Sequence, residues 1–175
     1  MIATVARWED VYDALASGEV ADIDGPFVGS RVLALDRFDS WGAAFAFSWE
    51  KEWFSVDISF AEHTDVDTWK ERQTSGPRGT GSPPWHEGRQ NTIFFGIFQM
   101  YFRDPETAET GLTGTAGFCG PSVAFVRATG EVSREVPVIS QVGAFILLVP
   151  GSHAQITALS PDRHALGGPW PRRRH

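Results

Sequence analysis

"AAFAFSWEKEWFSVDISF" (43–60) alternates with a period of two on either side of a charged centre. In its first half Phe45, Phe47 and Trp49 share one side, while Ala44, Ala46 and Ser48 share the other. In its second half Phe54, Val56, Ile58 and Phe60 oppose Trp53, Ser55, Asp57 and Ser59. Successive side chains of a strand point to opposite faces, so each half predicts a strand with one apolar face. Glu50-Lys51-Glu52 between them suits the exposed connection of a hairpin. The segment sets the expected class, a β protein with an aromatic core.

Toward the N-terminus, "RVLALDRF" (31–38) predicts another strand, and "DIDGPFVGS" (22–30) a turn. Gly25 and Gly29 of that turn are not followed by the lysine of a phosphate-binding loop, and the flanking carboxylates repel phosphate. In "RWEDVYDALASG" (7–18), Trp8, Val11, Tyr12 and Leu15 fall on one helical face. Glu9 and Asp10 favour the positive end of that helix, and Gly18 is its expected stop.

Toward the C-terminus the pattern is mixed. "EHTDVDTWKERQ" (62–73) is polar and predicts a short helix, and "TSGPRGTGSPPWHEGRQN" (74–91), with four Gly and three Pro, a long surface loop. "TIFFGIFQMYF" (92–102) is apolar on both faces, as a central strand covered on both sides should be. "RDPETAETGLTGT" (103–115) reads as a second polar loop. "SVAFVRATGEVSREVPVIS" (122–140) predicts a hairpin about Thr129-Gly130, with Pro137 marking an edge or bulge. "GAFILLV" (143–149) and "AQITALS" (154–160) predict a further hairpin across "PGSH". The expected fold is mainly β: a β-sandwich or open barrel of about eight antiparallel strands with one N-terminal α-helix, an α+β arrangement being the alternative. The expected organisation is a single domain over 1–168 and a loose tail over 169–175.

Composition narrows function by exclusion. Net charge is −7, but residues 1–70 hold 14 acids against 5 Lys/Arg, and residues 71–175 hold 8 against 10. An acidic half repels nucleic acid and attracts a basic protein, although a merely solvated acidic surface has the same composition. The apolar runs are shorter than the roughly 20 residues that cross a bilayer, and the acidic N-terminus is unlike an export signal. These features lead to the expectation of a soluble, cytoplasmic protein without membrane or nucleic-acid partners. There is no nucleophile elbow, dinucleotide fingerprint or zinc spacing, so no catalytic residue, cofactor or metal is assigned.

The candidate residues each admit a structural and a functional reading. Cys119, the only cysteine, lies in "GTAGFCGPSVAFV" (114–126). No helix start is evident there to activate a thiol, so a small buried residue is expected. His63, Asp65 and Asp67 would share one side of an extended chain as metal ligands do, but the same alternation arises on a solvated edge. Trp85, His86 and Glu87 offer an aromatic platform and polar groups on the 74–91 loop, and thus a recognition surface. Trp53 stands on the polar face of its strand, either as a stacking platform or covered by the N-terminal helix, the latter being expected. Asp22, Asp24, Asp36 and Asp39 are the acidic residues expected to meet a basic partner. Two functions follow. One is a non-enzymatic interaction module, an inhibitor or immunity-type protein for a basic partner being its sharper form. The alternative is a small enzyme or ligand carrier with an aromatic pocket gated by loop 74–91.

Overall fold

The 43–60 segment forms the expected hairpin: β2 (Trp41–Glu50) pairs antiparallel with β3 (Trp53–Thr64), Ala46 opposite Asp57 and Phe47 opposite Val56. A computed structural model describes residues 8–20, 29–50, 52–64, 68–80, 92–103, 111–138 and 142–171. These residues hold one helix, α1 (Trp8–Ser17), and twelve strands, against the eight or so read from periodicity. The protein is mainly β, built of antiparallel sheets with one N-terminal helix. None of its described helices is long and apolar enough to cross a membrane.

The strands form three sheets. Sheet A has the order β1 (Gly29–Phe38), β2, β3, β4 (Thr68–Ser75), with β5 (Arg78–Thr80) also on β3. Sheet B has β10 (Ala144–Pro150), β7 (Leu112–Cys119) and β6 (Phe94–Phe102). Sheet C has β12 (Ala165–Trp170), β11 (Gln155–Leu159), β8 (Phe125–Thr129) and β9 (Ser133–Pro137). One apolar cluster joins A to B through Phe45, Phe47, Ile58 and Phe60 against Phe118, Ile146 and Leu148. A second joins B to C through Phe145, Leu147 and Val149 against Val126 and Ile156. Sheet B is therefore the middle layer. Its strand β10 sends Ala144, Ile146 and Leu148 into one core and Phe145, Leu147 and Val149 into the other.

The aromatic residues fill the space between A and B. Phe118 lies 5.3 Å from Phe45 edge-on and 5.4 Å from Phe95 in a stack, and Phe60 stacks on Phe102 at 5.5 Å. Each such side chain contributes about 1.5–3 kcal/mol by leaving water. α1 covers the other face of sheet A, with Val11, Ala14 and Leu15 packed on Val32, Ala44 and Ala61, and ends at Gly18 with φ 76°.

Several expectations are corrected. Residues 62–64 and 68–73 are not helical: Glu62–Thr64 complete β3, and Thr68–Ser75 is the polar strand β4. Residues 112–115, read as loop, open the fully buried strand β7. The 92–102 run gives β6, an edge strand of sheet B, and the strands of that sheet buried on both faces are β7 and β10. β10 and β11 do not make a hairpin, because β10 pairs with β7 and β11 with β8 and β12. The β8–β9 hairpin is as expected, and β9 ends at Pro137 on a sheet edge. Trp170, placed in the tail by its sequence, pairs with Ile156 in β12.

Candidate functional site

An amphipathic helix that buries one stripe must show the other. With Val11, Ala14 and Leu15 inward, α1 exposes Glu9, Asp10 and Asp13, and Glu19 follows just beyond its end, also exposed. Asp13 is three residues from Asp10 and four from Glu9, so the carboxylates share one helical face, where like charges repel by a few tenths of a kcal/mol per pair. No basic residue lies in the last turn. A cleft of about 450 Å³ opens beside this face, lined by Asp10, Asp13, Ser17, Glu19, Ser30 and Arg31 among others. Ser30 Oγ is buried at its side and makes no hydrogen bond among the described residues.

The same face of sheet A continues as a floor of small side chains. Register sets Ser30 opposite Ser48, Ser48 opposite Ser55, and Ser55 opposite Arg78, a row across four strands. In the next row Val32 faces Ala46 and Ala46 faces Asp57. Asp57 is 3% exposed and accepts a 2.8 Å hydrogen bond from Ser55 Oγ. Burial pushes its carboxyl above the ordinary value of 3.8, and the Ser55 bond and the Arg78 charge only partly oppose that. Ser59, one step along, accepts from Thr74 Oγ1 at 2.9 Å.

Trp53 heads this face of β3 and is 60% exposed, so the helix does not cover it as expected. From Trp53 to Ala61, the residue under α1, is eight residues, or about 26 Å of strand. Trp53 and the acidic helix are thus at opposite ends of one face. Trp41 instead packs inward, 5.0 Å from Phe102.

The acidic candidates divide. Asp39 is exposed in the turn between β1 and β2, with φ 52°. Asp36 is buried and cannot present charge to a partner. Its Oδ2 accepts from Arg134 Nη1 at 2.7 Å and from the Leu148 N–H at 2.8 Å, and its Oδ1 accepts from Arg134 Nη2 at 3.0 Å. The cause is a bulge in β1 between Val32 and Ala34, after which Leu33 and Ala34 both face sheet B and Asp36 follows them inward. Asp22, Asp24, Trp85, His86 and Glu87 lie outside the described residues, as do Asp65 and Asp67. His63 is exposed, its ring 5.0 Å from that of Trp69.

Cys119 closes β7. It is 4% exposed, and its N–H donates to the Gly143 carbonyl at 2.7 Å. Burial pushes its thiol up to about 12, far from nucleophilic range.

Sequence reasoning named Asp10 only as a helix-start acid and counted Asp13 and Glu19 only in the net charge. The signal was present, since the positions left over from an apolar helical stripe are the ones that face water. Ser30 carried none. Compared with protein-family models, with curated proteins and with solved structures, the chain finds no match in any of the three.

Proposed function

We propose that this chain is a non-enzymatic interaction protein of the cytoplasm that presents the acidic side of α1 to a basic partner, as an inhibitor or immunity-type protein does. The observation that carries this reading is the convergence of Asp10, Asp13 and Glu19 on one open cleft of about 450 Å³. A helix that aligns like charges beside a concavity offers a cation both charge and shape complementarity. The displayed charge belongs to the half of the chain that holds 14 acids against 5 Lys/Arg.

The ligand-carrier alternative needs a cavity among the aromatic residues, and the ring contacts between sheets A and B weigh against it. The test is capture from lysate at low salt by three forms of the protein. These are the wild type, the variant Asp10→Lys, Asp13→Lys, Glu19→Lys, and a control reversing two exposed carboxylates elsewhere, Glu52→Lys and Asp162→Lys. The expected result is one basic protein held by wild type and control, lost by the helix variant, and released as salt rises. Equal capture by all three, or equal loss in both variants, would overturn the proposal.

A further inference from the structure

A second cleft, of about 620 Å³, lies where sheets B and C meet, among Gln99, Glu131, Gly151, Ser152, His153 and Gln155. Its volume is within the range of about 300–1,000 Å³ typical of small-molecule sites. One wall is the segment that carries the chain from β10 to β11, and it is pinned at both ends. Gly151 donates its N–H to the Gly111 carbonyl at 2.8 Å and accepts from Thr113 Oγ1 at 2.6 Å. At the far end the Ala154 carbonyl accepts from Gln99 Nε2 at 2.8 Å.

These bonds set the polarity of the cleft. A carbonyl can only accept, so the bond to Ala154 fixes the orientation of the Gln99 amide. Its Nε2 also donates to Thr115 Oγ1 at 2.9 Å, which uses both amide hydrogens and leaves Oε1 as an acceptor. Gln155 is oriented in the same way: its Nε2 donates to the Pro171 carbonyl at 2.9 Å, leaving Oε1. The third acceptor is Glu131, whose Oε1 lies 2.6 Å from where a Cβ on Gly151 would stand. Gly151 has φ 93° as well, so both its backbone and its lack of a side chain make room for that carboxylate. Lys and Arg do not occur among the described residues lining the cleft.

We propose that this cleft binds an aliphatic ammonium group. Its positive charge is taken by Glu131, and its three N–H donors match the Glu131 carboxylate and the Gln99 and Gln155 amide oxygens. Among the described residues, phosphates and carboxylates find no Lys or Arg here. An ammonium can come from a free small amine or from a lysine side chain of a peptide, and the test separates the two.

Amide shifts of Gly130, Ser152, His153 and Gln155 are followed by NMR during titration of the isotope-labelled protein. The probes are 1,4-diaminobutane, the doubly blocked amino acid N-acetyl-lysine methylamide, and butane-1,4-diol as the neutral match. Saturable shifts with either amine, at least tenfold weaker in Glu131→Gln, are expected. Tighter binding of the blocked lysine assigns the site to peptides, and tighter binding of the diamine assigns it to free amines. Glu131 is exposed, so the variant is expected to keep the wild-type melting temperature. The proposal is overturned by an absence of saturable shifts, by equal affinity in Glu131→Gln, or by the diol binding as well as the diamine.

Discussion

At the scale of single residues, burial decides chemistry more than residue type does. Cys119 is the residue a sequence reader inspects first, and its 4% exposure and raised thiol make it inert. A thiol reagent at mildly alkaline pH is expected to leave the folded protein unlabelled and to label one equivalent once urea unfolds it; labelling at equal rates in both states would contradict this. Asp57 is the opposite case, a residue of ordinary appearance placed where it is costly. Its carboxyl is raised in the folded state, so the fold favours the protonated form. Its contribution to stability is complete below the ordinary value of 3.8 and is lost as pH rises through the folded value. Asp57→Asn, which keeps an oxygen for Ser55 Oγ, is expected to raise the melting temperature at neutral pH by about 2–4 °C, the effect of about 1 kcal/mol in a chain of this size. The difference should shrink as pH falls toward 3.8. A difference that stays constant with pH would show that Asp57 does not titrate in this way.

At the scale of elements, legibility followed exposure. α1 and the β2–β3 hairpin could be read because each has one face on a core and one face of different chemistry. The helical stripe Val11 and Leu15 and the alternation Val56, Ile58, Phe60 are direct imprints of that asymmetry. β4 and β7 lacked it in opposite ways. β4 sits at a sheet edge with both faces largely polar, so "TWKERQTS" resembles a solvated helix or loop. β7 is buried on both faces yet reads "LTGTAGFC", because its neighbours leave no room for large side chains. A Cβ on Gly114 would come within 2.9 Å of the Phe60 ring. Small and hydroxyl residues thus stand for close packing here and for turns elsewhere, and one chain cannot distinguish them. β6 misled through composition: its aromatics reach both cores, but from the edge of sheet B.

At the scale of the whole molecule, three sheets must be held in register, and one ion pair touches all of them. Asp36 of β1 pairs with Arg134 of β9 and takes the Leu148 N–H of β10. Arg134 in turn donates to the Leu148 carbonyl and to that of Arg37, 2.9 Å away, with its guanidinium 5.0 Å from the Phe38 ring centre. Both polar groups of the Leu148 backbone are thereby satisfied by side chains from the neighbouring sheets. Removing one member leaves the other charged and partly buried, so Asp36→Ala is expected to cost about 3–5 kcal/mol in urea unfolding. The double variant Asp36→Ala, Arg134→Ala should lose less than the sum of the single variants, as directly coupled partners do. Additive losses would mean that the pair does not act as a unit.

The sequence by itself determined the class, the helix and its stop, the central hairpin and the two faces of each of its strands. All of these follow from local periodicity, which a single chain records in full. Tertiary structure alone decided the stacking order of the three sheets and which strands are buried on both faces. It also decided which carboxylates face water, and where the wall between β10 and β11 meets Gln99 and Glu131. Those outcomes depend on pairings between residues far apart in the chain, such as Asp36 with Arg134, and on a one-residue bulge that turns a strand over. Neither leaves a periodic trace, so neither could be read before the layers were assembled.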